Sequence, residues 1–384
     1  MNQNDGMKIT KVLLVDDQLI VGESVKRMLA DDEKYEYHFC QEPAKAVQTA
    51  AELEPDIILQ DLVMPEVNGL MLVKFYRGHP KLKDVPVIIL TSKADAETKK
   101  EMFEKGATDY LVKMPDQIEL LARIDMHVDN YRVLQDRNRT FDALQSELDK
   151  AGKYCMSLLP DLIDDNKVSV DWKFIPSEQL GGDSFGYHWI DDENFAMYLL
   201  DVCGHGVGAA LMSVSALNVL RTETLPDTDF KDPISVLTAM NKSFQMPDHN
   251  DMYFTMWYGV FNTKTRKISY GSAGHPPSLL INPDGSVDQL MNENFIIGGI
   301  PVFPYTSTEV DVKPGAKLFI YSDGAYEIIK PDGTLWEMEE FIDFVANAAR
   351  EGDQEIDDLY EYIKKLGGKD ILDDDFSMVR VELK

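Results

Sequence analysis

The chain has 384 residues, more than one hydrophobic core ordinarily serves, so two domains are expected, each long enough to bury its own core. Its 67 acidic against 38 basic side chains give a formal charge of -29, which repels nucleic-acid phosphates and argues against an output that reads DNA or RNA. Cys40, Cys155 and Cys203 are widely spaced with no C-x-x-C pair, and no apolar run approaches the roughly 20 residues of a membrane span, so a soluble, cytoplasmic protein with reduced thiols is expected.

Between residues 10 and 123 the runs KVLLV, YEYHFC, DIILQ, VPVIIL and DYLVK alternate with helical patterns. Strands separated by helices predict a doubly wound α/β domain on a five-stranded parallel sheet. In such sheets functional side chains gather beyond the carboxyl ends of the strands, where Asp16, Asp17, Asp61, Thr91 and Lys113 all fall. One such residue at a strand end is ordinary solvation, but the five together have the parts of a phosphoryl switch. Asp61 supplies a carboxylate nucleophile, Asp16 and Asp17 join it in binding Mg²⁺, Lys113 supplies a cation, and Thr91 supplies a hydroxyl that senses the phosphoryl group.

The residues VDD at 15–17, DLVMP at 61–65, LTS at 90–92 and DYLVK at 109–113 make this stretch resemble the receiver domain of two-component response regulators. The resemblance implies a flavodoxin-like fold, a sensor histidine kinase as phosphodonor, and Tyr110 as a switch aromatic near Thr91. Met114 stands where that family usually has proline, and Val63 is atypical two residues after Asp61.

From 118 to 159 the sequence has no proline, and large residues recur at Ile124, Val128, Tyr131, Leu134, Phe141, Leu144, Leu148 and Cys155, mostly three or four apart. With Asn138 and Gln145 near the same seam, a helical linker over 124–160 is expected, either a coiled coil pairing two chains or a helix packed on its own domain. Pro160 ends it.

Over 161–384 the strand-like runs are VSVDWKFI, NFAMYLLDV, YFTMWYGVF, KISYGSAG, KLFIYSDG and FSMVRVEL, with helices near 209–221, 234–244 and 337–350. This pattern predicts an α+β domain, an antiparallel β-sandwich flanked by helices. Four carboxylate motifs recur in it: GGD at 181–183, DVCGHG at 201–206, SDG at 322–324 and DDFS at 374–377. A lone Asp-Gly pair is mostly a turn, so the signal lies in their order and company. Clustering Asp183, Asp201, Asp323 and Asp374 without cations is unfavourable, and oxygen-only ligands favour Mg²⁺ or Mn²⁺ over Zn²⁺. Two such ions about 3.5–4 Å apart can acidify a bridging water for in-line attack on phosphorus, so the expected reaction is phosphomonoester hydrolysis.

The set GGDSFGY at 181–187, DVCGHGVGAALM at 201–212, TMWYGVF at 255–261, AGHPP at 273–277, YSDGAYE at 321–327 and DDFSMV at 374–379 resembles the PPM family of type 2C metal-dependent serine/threonine protein phosphatases. The bacterial RsbU and SpoIIE branch is nearest, and the lead-in SLLP at 157–160 is similar to it as well. The resemblance implies that Asp201 bridges both ions, that Asp183 and the Val202 carbonyl hold one, and that Asp323 and Asp374 hold the other, with Asp375 behind them. It also implies a phosphorylated STAS-domain antagonist of an anti-sigma factor, in a partner-switching pathway, as substrate. Cys203 stands where eukaryotic members place a histidine general acid, and His205 and His275 lie in glycine-flanked loops that leave substrate contact and turn capping both open.

Two rivals remain. GGDSF at 181–185 is similar to the GGDEF signature of diguanylate cyclases, but the helical FDALQSELDK upstream leaves no place for a cyclase's other motifs. A noncatalytic phosphoprotein-binding module of PPM fold would be marked by a lost metal aspartate, and none is missing. The reading is a response regulator whose aspartyl phosphorylation controls a phosphoserine/phosphothreonine phosphatase, working as a homodimer through the linker.

Overall fold

Runs rich in Val, Ile and Leu form β1 (Thr10–Val15), β2 (Tyr35–Cys40), β3 (Ile57–Asp61), β4 (Val87–Thr91) and β5 (Asp109–Val112), alternating with α1 (Leu19–Leu29), α2 (Ala46–Leu53), α3 (Gly69–Gly78) and α4 (Ala96–Glu104). Every pairing is parallel, in the order β2-β1-β3-β4-β5. A parallel sheet with crossover helices is covered on both faces, which is why β3 and β4 are buried along their whole length. One face packs Leu13, Val15, Ile58 and Ile89 beneath α2 and α3; the other packs Val12, Leu14, Leu59 and Leu90 against Val21 and Val25 of α1. This is the doubly wound α/β fold expected of the N-terminal stretch.

The computed structural model describes residues 8–65, 67–92, 95–351, 355–369 and 372–384. Its contacts divide the chain into two compact units, Met1–Leu144 and Gln145–Lys384. Helix α5 (Gln117–Met156), 40 residues long, contains the boundary between them. Its buried residues are Leu120, Ile124 and Val128, all packed on the parallel sheet. Polar ties fix the same stretch: Arg123 Nη1 donates to Asp109 Oδ2 at 2.6 Å, and Asp125 accepts from Tyr35 Oη at 2.6 Å and Lys34 Nζ at 2.9 Å. Arg132 Nη2 reaches the Ile9 carbonyl at 3.0 Å. Farther along, Val133, Phe141 and Leu144 are exposed. No helix among the described residues is long and apolar enough to cross a membrane.

The second unit contains β6 (Ile163–Asp164), β7 (Val168–Ile175), β8 (Asp183–Trp189), β9 (Asn194–Val202), α6 (Val207–Arg221), α7 (Pro233–Ser243), β10 (Phe254–Asn262), β11 (Lys267–Ala273) and β12 (Ser278–Ile281). It continues through β13 (Val287–Leu290), β14 (Thr308–Asp311), β15 (Ala316–Tyr321), α8 (Met338–Glu351), α9 (Glu355–Gly367) and β16 (Phe376–Leu383). The strands make two sheets, ordered β14-β11-β10-β9-β8 and β13-β12-β15-β16-β7-β6. Both are antiparallel and pack face to face, with Phe185, Phe195, Leu199 and Trp257 from the first meeting Val170, Leu318, Ile320 and Val379 from the second. Helices α6 and α7 cover the outer face of the first sheet through Met212, Leu217 and Leu237; α8 and α9 cover the second through Phe341, Val345 and Leu359.

Several elements are additional to the sequence expectations. Strand β8 carries the GGDSFGY motif, whose glycines mask its strand character, yet it pairs along its whole length with β9. Helix α9 and the four-residue strands β12, β13 and β14 were not expected either. The strands are too short to show hydrophobic periodicity, and their neighbours in the sheets hold them. Met114 adopts a left-handed φ of 57°.

Candidate active site and switch site

The five switch residues lie at the carboxyl end of the parallel sheet. Asp16 and Asp17 follow β1, Asp61 ends β3, Thr91 ends β4 and Lys113 follows β5. Lys113 Nζ sits 3.0 Å from Asp16 Oδ2 and 2.8 Å from Asp61 Oδ2. Ligand oxygens of Asp16, Asp17 and Asp61 all lie within 4.8 Å of one another, the only such acidic group of three among the described residues. Burial first, then the Asp16 charge, raises the Asp61 pKa, although Lys113 opposes both. For Lys113 burial disfavours the charge, but hydrogen bonds to Asp61 and Asp16 outweigh it and the pKa is raised. Asp17 Oδ1 is buried without accepting a hydrogen bond, while Asp16 Oδ2 and Asp61 Oδ2 are paired with Lys113 Nζ. Two carboxylates share one ammonium and a third beside them keeps a buried, unpartnered oxygen, an arrangement that fits a hard cation such as Mg²⁺.

Thr91 is buried, one residue beyond the Asp61 to Leu90 pairing, and its carbonyl accepts from Lys113 N at 2.7 Å. Tyr110 lies on the next strand, partly exposed, with its edge against Phe103 and the Lys99 ammonium 4.7 Å from its ring.

In the second unit, strand register builds a row. Asp183 on β8 faces Asp201 on β9, which faces Thr255 on β10. Directly opposed residues project from the same face of a sheet, so the three side chains are neighbours. From the other sheet, Asp323 follows β15 and Asp374 precedes β16. Asp201, Val202, Thr255, Asp323 and Asp374 line one cleft of about 580 Å³. Asp183 is buried outside the lining of this cleft, and its Oδ2 accepts from Ser377 Oγ at 2.6 Å.

Asp375 is a clamp on the Gly-Gly-Asp loop. Its carboxylate accepts from Ser177 N at 2.8 Å, Ser177 Oγ at 3.1 Å and Gly182 N at 2.7 Å. A Cβ on Gly181 would stand 2.4 Å from Asp375 Oδ2, and one on Gly324 2.2 Å from the Asp375 carbonyl, so both glycines are required by close approach.

Burial, followed by the charges of Asp323, Asp374 and Asp375, pushes Asp201 up to about 7. Asp323 is pushed to about 6 by burial and then by Asp374 and Glu327. Asp183 is raised well above the usual carboxylate range by burial, then by Asp201 and Asp375, and Asp374 is raised chiefly by burial. Without added positive charge this cluster holds protons near neutral pH, which is the electrostatic signature of a cation site. The donor set is all oxygen, which suits Mg²⁺ or Mn²⁺.

At the mouth of the cleft His205 is exposed, its Nδ1 3.2 Å from Glu178 Oε2. Cys203 also lines the cleft, and Tyr253 N donates to its Sγ at 3.3 Å. His275 is buried, its Nδ1 2.9 Å from Thr255 Oγ1. Sequence reasoning passed over Ser377 and Thr255 as site residues, although both stand inside quoted motifs; what placed them was strand register, which no local pattern reveals.

Among relatives, the chain is 26% identical over 211 residues to the phosphoserine phosphatase RsbP of Bacillus subtilis (strain 168), covering 51% of this chain and 52% of RsbP. It is 23% identical over 291 residues to the phosphoserine phosphatase RsbU of the same organism, covering 74% of this chain and 83% of RsbU. The chain spans about half the length of RsbP, although it covers most of RsbU. Among solved structures, the SiaA-PP2C domain of Pseudomonas aeruginosa shares the fold, with a TM-score of 0.54 at 20% identity over 64% of this chain and 99% of that domain. The family model for stage II sporulation protein E (SpoIIE) matches residues 191–384, and that for the response regulator receiver domain matches residues 12–125. The chain belongs to the SpoIIE family and carries a response regulator receiver domain ahead of its family domain.

Proposed function

We propose that this chain is a response regulator whose output is a divalent-metal-dependent phosphoserine/phosphothreonine protein phosphatase. The observation that carries the reading is the convergence of Asp183, Asp201, Asp323 and Asp374 from two sheets, with Asp201 pushed up to about 7 by burial and like charges. Such a cluster is costly to fold unless it holds cations. The similarity to two proteins named phosphoserine phosphatases supports the same activity here.

When bound, two Mg²⁺ or Mn²⁺ ions supply an activated water and offset the charge that develops on the phosphoryl oxygens. Asp201, Asp183 and the Val202 carbonyl would hold one, and Asp201, Asp323 and Asp374 the other. Asp375 and its clamp set the position of Asp183. The cleft, open at the His205 rim, admits a phosphorylated side chain presented by another protein.

In the same proposal the receiver occupies 10–123, the helical linker 124–160 and the phosphatase domain 161–384. A sensor histidine kinase phosphorylates Asp61, with Mg²⁺ at Asp16, Asp17 and Asp61, and Lys113, Thr91 and Tyr110 respond to the phosphoryl group. The exposed Val133, Phe141 and Leu144 on α5 support a homodimer through the linker. The proposed substrate is a phosphorylated STAS-domain protein of a partner-switching pathway, in the cytoplasm.

The test is phosphate release from a phosphoserine protein by wild type and Asp201→Ala, each in EDTA and in Mn²⁺. Release by the wild type in Mn²⁺ alone, absent from Asp201→Ala, is expected. No release from several phosphoproteins, with binding retained, points instead to the noncatalytic module.

A further inference from the structure

A polar chain joins the two sheets beside Asp201. Thr255 stands directly across the ladder from Asp201 and lines the same cleft. Its Oγ1 lies 2.9 Å from Nδ1 of His275, in the AGHPP turn where the backbone leaves β11 in one sheet for β12 in the other. His275 is 5% exposed, and its turn is fixed around it. Ser272 Oγ donates to the His275 carbonyl at 2.9 Å, and Gly274 takes a φ of +65° with Ile296 packed where a side chain would stand.

Burial drives the imidazole pKa down to about 3, so the ring is neutral and carries one proton. Nε2 is buried with no well-formed hydrogen bond, the main chain of Tyr321, two residues before Asp323, acts on the ring in the sense that favours a proton, and Nδ1 is already engaged by Thr255, which leaves Nε2 as the nitrogen that faces Tyr321. A proton on Nε2 leaves the Nδ1 lone pair facing Thr255. The threonine hydroxyl then donates to the ring, and its own lone pairs stay turned away from it.

We propose that His275 is a positioning residue that locks the Thr255 hydroxyl as a hydrogen-bond acceptor beside Asp201, where it orients the attacking water of the phosphatase reaction. The inference rests on the phosphatase reading above. A free threonine hydroxyl can donate or accept, and beside a carboxylate it donates. Engaging its proton with His275 removes that choice. Water in the cleft then gives one hydrogen to Thr255 Oγ1 and one to a carboxylate, which fixes the direction of its lone pairs.

Two measurements on the full chain test this. In ¹⁵N-histidine-labelled, metal-free protein at pH 7, the His275 nitrogens, assigned through the backbone, are expected to show a neutral ring protonated at Nε2 with Nδ1 as acceptor. With p-nitrophenyl phosphate and Mn²⁺, Thr255→Val is expected to lose about 10- to 100-fold in kcat with KM within about twofold, and Thr255→Ser to recover to within about threefold of wild type. A ring protonated at Nδ1, or wild-type turnover by Thr255→Val, overturns the proposal. If the wild type releases neither p-nitrophenol nor phosphate from a phosphoserine protein, the phosphatase reading fails, and the tautomer alone then decides whether Thr255 is held as an acceptor; if only the phosphoserine protein is turned over, the same rate comparison is read on that substrate.

Discussion

Asp201 and Asp375 are both acidic and close together, but they do opposite work. Asp375 is satisfied by the buried N–H of Gly182 and by the half-buried N–H and hydroxyl of Ser177, so Asp375→Ala leaves those donors unpaired. A loss of about 2–4 kcal/mol is expected in denaturant unfolding, with Asp375→Asn intermediate. Asp201 is destabilising when ionised in the metal-free protein. Its folded pKa, about 7, lies above the roughly 3.9 of an unfolded chain, so its protonated form adds stability that is fully present below about pH 4 and lost as pH rises through about 7. Asp201→Asn should therefore match wild type in EDTA near pH 4 and exceed it at pH 8, by on the order of 1 kcal/mol or more. Mn²⁺ should reverse that order at pH 8. Thermal unfolding of both proteins across this range checks it, and a difference that does not change with pH contradicts the assignment of burial and like charge as the cause.

Helix α5 shows how one element can be partly legible. Its length and apolar spacing were readable, because a 3.6-residue period persists over many turns. Which face is buried is not readable: Ile124 and Val128 stand in the same run of mostly three- and four-residue spacings as the exposed Leu134, Phe141 and Leu144, and only packing separates them. Near its far end, Gly152 is pressed against the Gln179 carbonyl, which a Cβ would approach to 2.4 Å. Alanine normally improves a helix over glycine by roughly 1 kcal/mol. Here Gly152→Ala is expected to lower the melting temperature instead, by overpacking the approach to the Gly-Gly-Asp loop. A rise would mean that the contact yields freely. Strand β8 failed to declare itself for a related reason: its glycines suppress local strand signal, while its pairing with β9 supplies the stability.

At the scale of the whole chain, both acidic constellations were legible because each motif ends or begins a strand, and strand ends converge in space. The unreadable part was the support, Ser377 beneath Asp183 and His275 behind Thr255, which depends on register between strands far apart in sequence. The proposed control runs from the receiver through continuous helix, so a proline replacing Leu134 should leave basal phosphatase activity intact and abolish its dependence on the receiver. The most direct measurement compares Mn²⁺-dependent phosphate release from a phosphoserine protein by wild type and Asp61→Asn, with and without beryllofluoride as a phosphoryl mimic. Beryllofluoride is expected to change the wild-type rate by at least about fivefold and to leave Asp61→Asn unchanged. A wild-type rate that requires Mn²⁺ but is the same with and without beryllofluoride would contradict it.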